Sequence, residues 1–338
     1  MLQDKLVSVI MPVYNAERYL KEAVDSILQQ SYRNFEFIII NDGSSDDSAK
    51  ILDAYDDKRI KRVSFEHNKG LIEALNTGIK LAEGHLVARM DADDISLPKR
   101  LEVQVAAFQN NPLLLACDTD YYNLFEDGSR KLSPGTLHGD ALKASLLFTT
   151  CFCHPAVMMR NVFANKANVY NAGFTLVEDY KLWCDLAADG EFEHISEPLL
   201  LYRSHLAQVS NQHHQTQLAK SAQIRHDFLN GLDFTVDSTQ LACINSIGNN
   251  EFIRSKETLL QIEKTLLHLI KLNSEKRRFK EQDFLLCMHK FWLDSCGHGN
   301  LGLFAFSHYL KSPLSRNFKQ FGSVLKLAIK CLLRSRKK

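Results

Sequence analysis

The first hundred residues alternate between two hydrophobic patterns. Short apolar runs rich in β-branched residues, the first of which is LVSVIMPVY (6–14), predict β-strands. Between them lie stretches such as AERYLKEAVDSILQQS (16–31), in which Leu20, Val24 and Ile27 recur at helical spacing. Alternation at this spacing predicts βαβ units, and therefore an α/β fold with a mostly parallel, Rossmann-like sheet that carries helices on both faces.

Three of the predicted strands run directly into polar clusters. These clusters are PVYN (12–15), NDGSSDD (41–47) and DADD (91–94). Parallel strands bring their carboxyl ends to the same edge of a sheet, and ligands of such sheets bind outside that edge. We therefore expect the three clusters to contribute to one site.

The DADD cluster offers three carboxylates, Asp91, Asp93 and Asp94, after an apolar strand. Two carboxylates at a strand–loop junction can bind Mg²⁺ or Mn²⁺, whose remaining ligands would be waters and phosphate oxygens. The alternative is that Asp93 or Asp94 caps the following helix, with Pro98 near its first turn. Because three acids exceed what a helix cap needs, the pattern favours a metal site.

Two readings remain open for the NDGSSDD and PVYN clusters. Asp42 could accept a hydrogen bond from a nucleobase or ribose, or it could only stabilise a strand–turn–helix junction. Tyr14 could stack on a nucleobase, or it could cover a turn. Ser44 or Ser45 is the expected N-cap of the helix that follows.

Later polar residues are less specific on their own. Glu178 and Asp179 begin a short predicted helix, where acids commonly complement the helix dipole. Tyr202, Arg203 and His205 follow a late apolar run, and Arg and His there could bind anionic oxygens or complete a metal shell. A structural role for the histidine is the alternative.

Composition and motifs exclude several classes of protein. The formal net charge of only +1 over 338 residues argues against a protein that binds polyanions through its whole surface. No apolar run is long enough to span a bilayer. There is no Gly-rich phosphate loop, no serine-hydrolase elbow and no aromatic–basic motif for nucleic acid. The eight scattered cysteines and the lack of a signal-peptide pattern predict a reduced, cytoplasmic protein. Buried thiols are favoured over a zinc site at Cys151, Cys153 and His154.

The pattern becomes helical beyond about residue 212, which predicts a domain at 1–212 and a mainly helical region at 213–338. From residue 316 onward there are eight Lys or Arg and no acid. Residues 318–338 therefore predict a basic amphipathic helix that binds an anionic membrane surface, or one that packs with a solvated basic face. The predicted basic face is Lys319, Lys326, Lys330 and Arg334, and the predicted apolar face is Phe318, Phe321, Val324, Leu325, Ala328 and Leu332.

The motifs, taken in order, carry a family resemblance. SVIMPVYN, IIINDGSSDDS and ARMDADDISLPKRLEVQ are followed by HPAVMMR, EDYKLW and LLLYRSH. This set closely resembles bacterial family 2 glycosyltransferases with the GT-A fold, over roughly residues 5–212. The resemblance implies a metal-dependent transferase that inverts the anomeric centre of a nucleotide sugar, most commonly a UDP-sugar.

The resemblance also implies roles for individual residues. Tyr14 and Asp42 would hold the nucleotide base, usually uracil, and Pro12, Asn15 and Lys69 are candidates for the same nucleotide-binding site.

For the metal, the resemblance makes Asp93 the direct ligand of Mn²⁺ or Mg²⁺, and Asp91 a ribose contact or a water-mediated metal contact. It also implies His205 as a further metal contact, and Arg203 with Tyr202 as contacts of the diphosphate or acceptor.

The same family pattern makes Asp179 the catalytic base, with Glu178 beside it. The expected partners are a nucleotide-sugar donor and a saccharide or lipid-linked acceptor, at the cytoplasmic face of a bacterial inner membrane, in surface polysaccharide or lipopolysaccharide synthesis. One alternative is a nucleotidyltransferase, which needs a basic triphosphate-binding loop early in the chain, where PVYNAERYL (12–20) supplies only Arg18. The other is a non-catalytic protein that binds nucleotide sugars.

Overall fold

The computed structural model describes residues 5–163, 168–204, 214–316 and 321–335. The chain forms two compact units. Unit 1 comprises residues 1–138 and 152–216, and unit 2 comprises residues 139–151 and 217–338. The predicted domain boundary at residue 212 stays a prediction. That prediction places residues 139–151 in the first domain, whereas the structure groups this short segment with unit 2.

Unit 1 is built on a mixed sheet in which the described residues form nine strands. The strands are β1 Val7–Val13, β2 Phe35–Asn41, β3 Ile60–Ser64, β4 Leu86–Arg89, β5 Ile95–Ser96, β6 Leu114–Leu124, β7 Arg130–Ser133, β8 Met158–Arg160 and β9 Glu191–Arg203. The order across the sheet is β3-β2-β1-β4-β8-β6-β9-β5, and β7 pairs with β6.

The four strands from the first hundred residues that lie side by side, β3-β2-β1-β4, are all parallel. The strand β1 pairs with β2 from Val7–Phe35 to Val13–Asn41, and with β4 from Val7 to Ile10. Antiparallel pairing enters through β5, β7 and β8. The carboxyl ends of β1, β2 and β4 therefore lie at one edge, which confirms the expected common position of the three polar clusters.

Helices cover both faces of this sheet, because the side chains of a strand alternate between its two faces. On β2, Phe37 and Ile39 pack in the core that contains the helices Leu20–Leu28 and Arg100–Asn110, whereas Ile38 and Ile40 pack with Ala74 on the opposite face. This arrangement confirms the predicted α/β class. The helices that belong to unit 1 are α1 Leu20–Leu28, α2 Ser48–Asp53, α3 Leu71–Leu81, α4 Arg100–Asn110 and α6 Glu178–Leu186.

Unit 2 is helical in its described residues, as the C-terminal pattern predicts. Its core contains Trp292 and Phe284, both fully buried, and the rings of Phe148 and Phe291 lie 4.3 Å apart. None of the described helices is both long and apolar enough to cross a bilayer. The remaining helices are α5 Gly139–Ala144, α7 His214–Gly231, α8 Ser238–Gly248, α9 Lys256–Lys276, α10 Glu281–Gly297, α11 Gly302–Lys311 and α12 Phe321–Ser335.

The faces predicted for the C-terminal helix need correction. Leu327 and Cys331, which the sequence does not place on the apolar face, are its buried residues, whereas Leu325 and Leu332, which the sequence does place there, are about half exposed. The helix packs through the 327/331 positions, so part of its apolar surface stays outside. Of the other predicted residues, Phe318 and Lys319 lie outside the described residues, and the side chains of Phe321 and Arg334 are not described.

Candidate active site

The loops after β1 and β2 are joined by hydrogen bonds at the sheet edge. Asn15 has a left-handed backbone with φ of 49°. Its side-chain oxygen accepts from the Ser45 N–H at 2.9 Å, and its own N–H donates to the Ser44 hydroxyl at 3.1 Å. Pro12 is half-buried at the end of β1, and Tyr14 is 51% exposed. The tyrosine ring is therefore exposed at the carboxyl edge of the sheet, and its predicted contact with a nucleobase stays a prediction.

These contacts also correct the expected helix cap. The helix α2 begins at Ser48 after Asp47, not after Ser44 or Ser45. Both serines are instead engaged by Asn15 from the neighbouring loop.

Asp42 connects the end of β2 to the loop before α3. Its carboxylate is buried and accepts hydrogen bonds from the backbone N–H groups of Lys69, at 2.6 Å, and Gly70, at 2.9 Å. Gly70 has φ of 91°, a conformation that favours glycine. The Lys69 ammonium lies 4.5 Å from the centre of the Phe65 ring. Asp42 and Lys69, both predicted to bind nucleotide, are thus brought together.

The DADD segment forms a carboxylate cluster. One oxygen each from Asp91, Asp93 and Asp94 lies within 4.8 Å of the others, the only such His, Cys, Asp and Glu group among the described residues. Asp94 is almost fully buried; its Oδ1 accepts from the Arg203 N–H at 2.8 Å, and its Oδ2 has no hydrogen-bond partner. Burial, followed by the charges of Asp91 and Asp93, raises the pKa of Asp94 well above its usual range.

Neither Asp93 nor Asp94 is the N-cap of the next helix. The helix α4 begins at Arg100, with Lys99 at its N-cap and no side-chain capping bond. The capping alternative therefore does not account for the acids. Asp91 is half-buried and ion-paired with Arg89; burial raises its pKa more than the Arg89 charge lowers it.

Arg203 is engaged at the same edge. Its Nε donates to the Asp93 carbonyl at 2.8 Å, another guanidinium nitrogen donates to Glu22 at 2.7 Å, and the guanidinium lies 4.2 Å from the centre of the Tyr19 ring. It fixes the backbone of the acidic loop, and its predicted diphosphate contact stays a prediction.

Tyr202 and His205, which the sequence groups with Arg203, are described next. Tyr202 is half-buried on β9, with its ring 5.7 Å from that of Tyr121. His205 lies outside the described residues.

The predicted base lies in the first turn of α6. Glu178 is buried and Asp179 is half-buried. Burial, reinforced by the adjacent Asp179 charge, raises the pKa of Glu178 to about 7. Leu176, two residues earlier, has φ of 80°, which leucine rarely adopts. The two acids therefore differ, and Asp179 is the more exposed.

The buried Tyr170 links this helix to the carboxylate cluster. Burial, then the charges of Asp179, Glu178 and Asp91, raise the pKa of its hydroxyl against an opposing effect of Arg89. The charges of all three carboxylates thus act on one phenol. Its hydroxyl is hydrogen-bonded to His154 Nε2 at 2.8 Å. Burial, followed by the Arg89 charge, lowers the pKa of His154 well below its usual range, so this imidazole is neutral.

Sequence reasoning missed this supporting set. Asn76 on α3 holds the Tyr170 backbone: its amide donates to the Tyr170 carbonyl at 2.9 Å, and its oxygen accepts from the Val169 and Tyr170 N–H groups. The available signals were a polar residue on the apolar face of α3 and an arginine, Arg89, inside an apolar strand. Each is a buried polar group that needs a partner.

A second acidic group lies deeper in the sheet. His194 on β9 contacts Asp118 through Nδ1 and Asp120 through Nε2, both at 2.7 Å. Burial favours the neutral ring, but the hydrogen bonds to the two carboxylates outweigh it and raise the pKa of His194 to about 9. Asp118 also accepts from the Cys153 N–H at 2.9 Å, next to His154. This group therefore supports the segment that carries His154.

Comparison with known proteins agrees with the fold and identifies the family. The model of the family described as glycosyl transferase family 2 matches residues 8–167. An uncharacterized glycosyltransferase of Haemophilus influenzae is 32% identical over 298 residues, which cover 80% of this chain and 92% of the relative. The Escherichia coli protein UDP-Glc:alpha-D-GlcNAc-diphosphoundecaprenol beta-1,3-glucosyltransferase WfgD is 30% identical over 213 residues, covering 62% of this chain and 80% of WfgD.

The crystal structure of Staphylococcus aureus TarS, residues 1–349, with UDP-GlcNAc superposes with a TM-score of 0.53 at 15% identity. It covers 98% of this chain and 91% of the TarS chain. This likeness shows a shared GT-A-like fold. The fold and the sequence relatives together define a glycosyltransferase with a GT-A-like fold. More narrowly, the chain belongs to glycosyltransferase family 2, as the relatives' sequences show. The predicted family, fold and enzyme class are confirmed.

Proposed function

We propose that the protein is a metal-dependent, inverting glycosyltransferase that moves a sugar from a UDP-sugar to a lipid-linked saccharide during bacterial surface polysaccharide synthesis. The observation that carries the metal dependence is the buried, unpartnered Oδ2 of Asp94, next to the carboxylates of Asp91 and Asp93. WfgD is named for a UDP-glucose donor and a diphosphoundecaprenol-linked acceptor. Its similarity supports both substrate classes for this chain.

The carboxylate cluster fits a hard divalent cation. It supplies only oxygen ligands, which Mn²⁺ and Mg²⁺ prefer, and at least one of them lacks any partner from the protein. We assign Asp93 as a direct ligand and Asp91 as a ribose or water-mediated contact. A bound cation would stabilise the negative charge that develops on the departing diphosphate.

The nucleotide binds at the neighbouring loops in this proposal. Tyr14 stacks on the base, and Asp42, held by the backbone of Lys69 and Gly70, accepts a hydrogen bond from the base. A carboxylate already fixed by two N–H donors meets the ligand without having to reorganise.

The chemical step assigns different roles to the two acids of α6. Asp179 takes the proton of the acceptor hydroxyl as that oxygen attacks the anomeric carbon. Glu178, whose pKa is about 7, spends much of its time protonated near neutral pH. It then does not add a second full negative charge beside the base.

The first test is calorimetric titration of UDP, GDP and UDP-sugars, each with and without Mn²⁺. We expect UDP and one UDP-sugar to bind only when Mn²⁺ is present. Nucleotide binding that ignores Mn²⁺ would overturn the metal dependence, and preference for GDP would overturn the assigned donor class.

A second test separates the enzyme from a non-catalytic sugar-nucleotide binder. Asp179→Asn should lower turnover by about 10²–10⁴-fold while leaving donor affinity near that of the wild type. Glu178→Gln is the matched control, and it should retain more activity. If Asp179→Asn lost donor binding to the same extent, its carboxylate would be structural. Family membership already excludes the nucleotidyltransferase alternative.

We further propose that α12 binds an anionic membrane surface. Leu325, Ile329 and Leu332 form one outward stripe, each about half exposed, at i, i+4 and i+7 spacing. Lys326 and Lys330 lie along one side of the stripe and are also exposed. An apolar stripe beside basic residues is typical of helices that lie in a membrane interface. This location would bring the enzyme to a lipid-linked acceptor.

Vesicle sedimentation tests this proposal. The wild type should bind vesicles that contain phosphatidylglycerol and bind phosphatidylcholine vesicles much less. Replacing Leu325, Ile329 and Leu332 by Ser should abolish the binding. Leu113→Ser, at an exposed leucine of unit 1, is the control and should have no effect. Equal binding by the triple variant would show that the stripe does not contact lipid.

A further inference from the structure

Arg89 is an arginine inside the acidic edge of the sheet. It is the last residue of β4, its side chain is 7% exposed, and its guanidinium is ion-paired with Asp91. A second buried arginine, Arg100, fixes the backbone there by donating to the Arg89 carbonyl at 2.7 Å and the Val157 carbonyl at 3.2 Å. The Arg89 backbone is therefore held by the core, and its guanidinium is buried beside Asp91 and not exposed to solvent.

This arginine acts unequally on Asp91 and Asp94. Asp91 is directly ion-paired with it through Oδ2, whereas Asp94 is not. In Asp94, Oδ1 accepts a hydrogen bond from the Arg203 backbone N–H, and Oδ2 has no hydrogen-bond partner. The cluster thus contains one oxygen that a fixed cation already occupies and one that nothing occupies.

We propose that Arg89 divides the roles of the three acids: it withholds Asp91 from direct metal ligation and leaves Asp93 and Asp94 Oδ2 as the direct ligands. This inference rests on the proposed metal site. A guanidinium held beside three carboxylates also weakens cation binding, because it repels the metal and satisfies part of the negative charge. Arg89 is then a positioning residue. It lowers the affinity of the site for the metal, and it holds Asp91 in position for the ribose or diphosphate.

The proposal predicts opposite changes in two measurements. Arg89→Met should bind Mn²⁺ about tenfold more tightly in calorimetry of the protein without nucleotide, since Asp91 becomes a third ligand and a repelling charge is lost. Turnover should fall, because Asp91 leaves its position. Ordinary damage to the fold would weaken metal binding and turnover together, so the sign of the affinity change identifies the mechanism.

Three further variants make the test specific. Arg89→Lys keeps the charge and should bind Mn²⁺ close to the wild-type affinity. Adding Asp91→Asn to Arg89→Met should cancel the gain, because the freed ligand is then absent. Should Arg89→Met fail to fold, Arg89→Gln, neutral but able to hydrogen-bond Asp91, carries the test and should bind Mn²⁺ more tightly than Arg89→Lys.

The outcomes distinguish the two proposals. A wild type that binds no Mn²⁺ would overturn the metal site itself, and the role of Arg89 with it. A wild type that binds Mn²⁺, with neutral variants at position 89 that bind it equally or more weakly, would overturn only the role of Arg89. Circular dichroism of each variant establishes that the comparison is between folded proteins.

Discussion

Two groups of buried carboxylates lie in the same sheet and are built in opposite ways. In the inner group, Asp118 and Asp120 flank His194, and none of their oxygens is both buried and without a hydrogen-bond partner. In the edge group, Asp91, Asp93 and Asp94 approach one another, and one oxygen of Asp94 has no partner. The inner group has one cation, His194, for two carboxylates, whereas the edge group has one cation, Arg89, for three.

The difference suggests a criterion for separating structural from functional carboxylates: whether the fold itself supplies the partners of a buried carboxylate. A buried charge is tolerated when the fold supplies its counter-charge and hydrogen bonds, and the resulting group then stabilises one arrangement of the chain. A buried carboxylate left without a partner destabilises the protein until a ligand supplies the missing interaction. We therefore assign the inner group to stability and the edge group to binding, and the following changes test that division.

The largest expected effect is on turnover. Asp93→Asn should lower kcat/KM by about 10³-fold, because a ligand of the charge-stabilising cation is lost, while the free energy of unfolding stays within about 0.5 kcal/mol. Asp120→Asn in the inner group is the matched change and should do the reverse, lowering stability while sparing turnover per folded molecule. Steady-state kinetics and urea titration of both variants give the comparison. A large stability loss in Asp93→Asn would contradict the division.

The inner group should respond most strongly to removal of its cation. His194→Ala leaves two buried carboxylates unpaired, and we expect a loss of about 3–5 kcal/mol in the free energy of unfolding. Part of the loss should extend to the backbone at Cys153, which Asp118 holds. Urea denaturation measures the total, and hydrogen exchange at Cys153 locates it. A loss below about 1 kcal/mol would mean that the three side chains contribute little as a unit.

The same histidine predicts a pH dependence. Its pKa is raised from 6.5 to about 9 on folding, so the native state binds the proton more tightly than the unfolded chain. This contribution to stability is fully present below pH 6.5 and is lost as the pH rises through about 9. Thermal unfolding between pH 6 and 10 should show this decline in the wild type but not in His194→Gln. Parallel curves for the two proteins would assign the decline to other groups.

The sequence was sufficient for the parts of the fold and site that depend on local pattern. Alternating strand and helix periodicities predict the parallel part of the sheet, and the polar ends of three strands predict the position of the site. In α1, for example, Leu20, Val24 and Ile27 lie on one predicted face, and all three are buried. Each of these predictions requires only the residue spacing within one element or the known geometry of parallel strands.

What could not be predicted depends on contacts between distant segments. His194 is 74 residues from Asp120, and Asn76 is 94 from Tyr170, so no local period relates them. The same limit applies to α12: periodicity identifies its apolar residues, but only the neighbouring helices decide that Leu327 is buried and Leu325 is exposed. The role of Arg89 could not be predicted for another reason. A single charged residue in an apolar strand does not change the pattern that identifies the strand.

The smallest expected effect is the change in stability caused by Asp94→Asn, and its sign is what tests the division. Asp94→Asn keeps a side-chain oxygen for the Arg203 N–H and removes one of three crowded carboxylates. Without metal, we expect the variant to be about 1 kcal/mol more stable than the wild type, because most of the change is relief of repulsion. Asp118→Asn, the matched change beside His194, should be destabilising.

Mn²⁺ should then reverse the order of stability at the sheet edge. A ligand that binds the folded state stabilises it in proportion to the logarithm of its concentration over its dissociation constant, so the protein with the complete carboxylate set gains more. Thermal unfolding in EDTA and in excess Mn²⁺ should therefore rank Asp94→Asn above the wild type in the first solution and below it in the second. A variant that is less stable in both solutions would place Asp94 with the inner group, as a residue that stabilises the fold by itself.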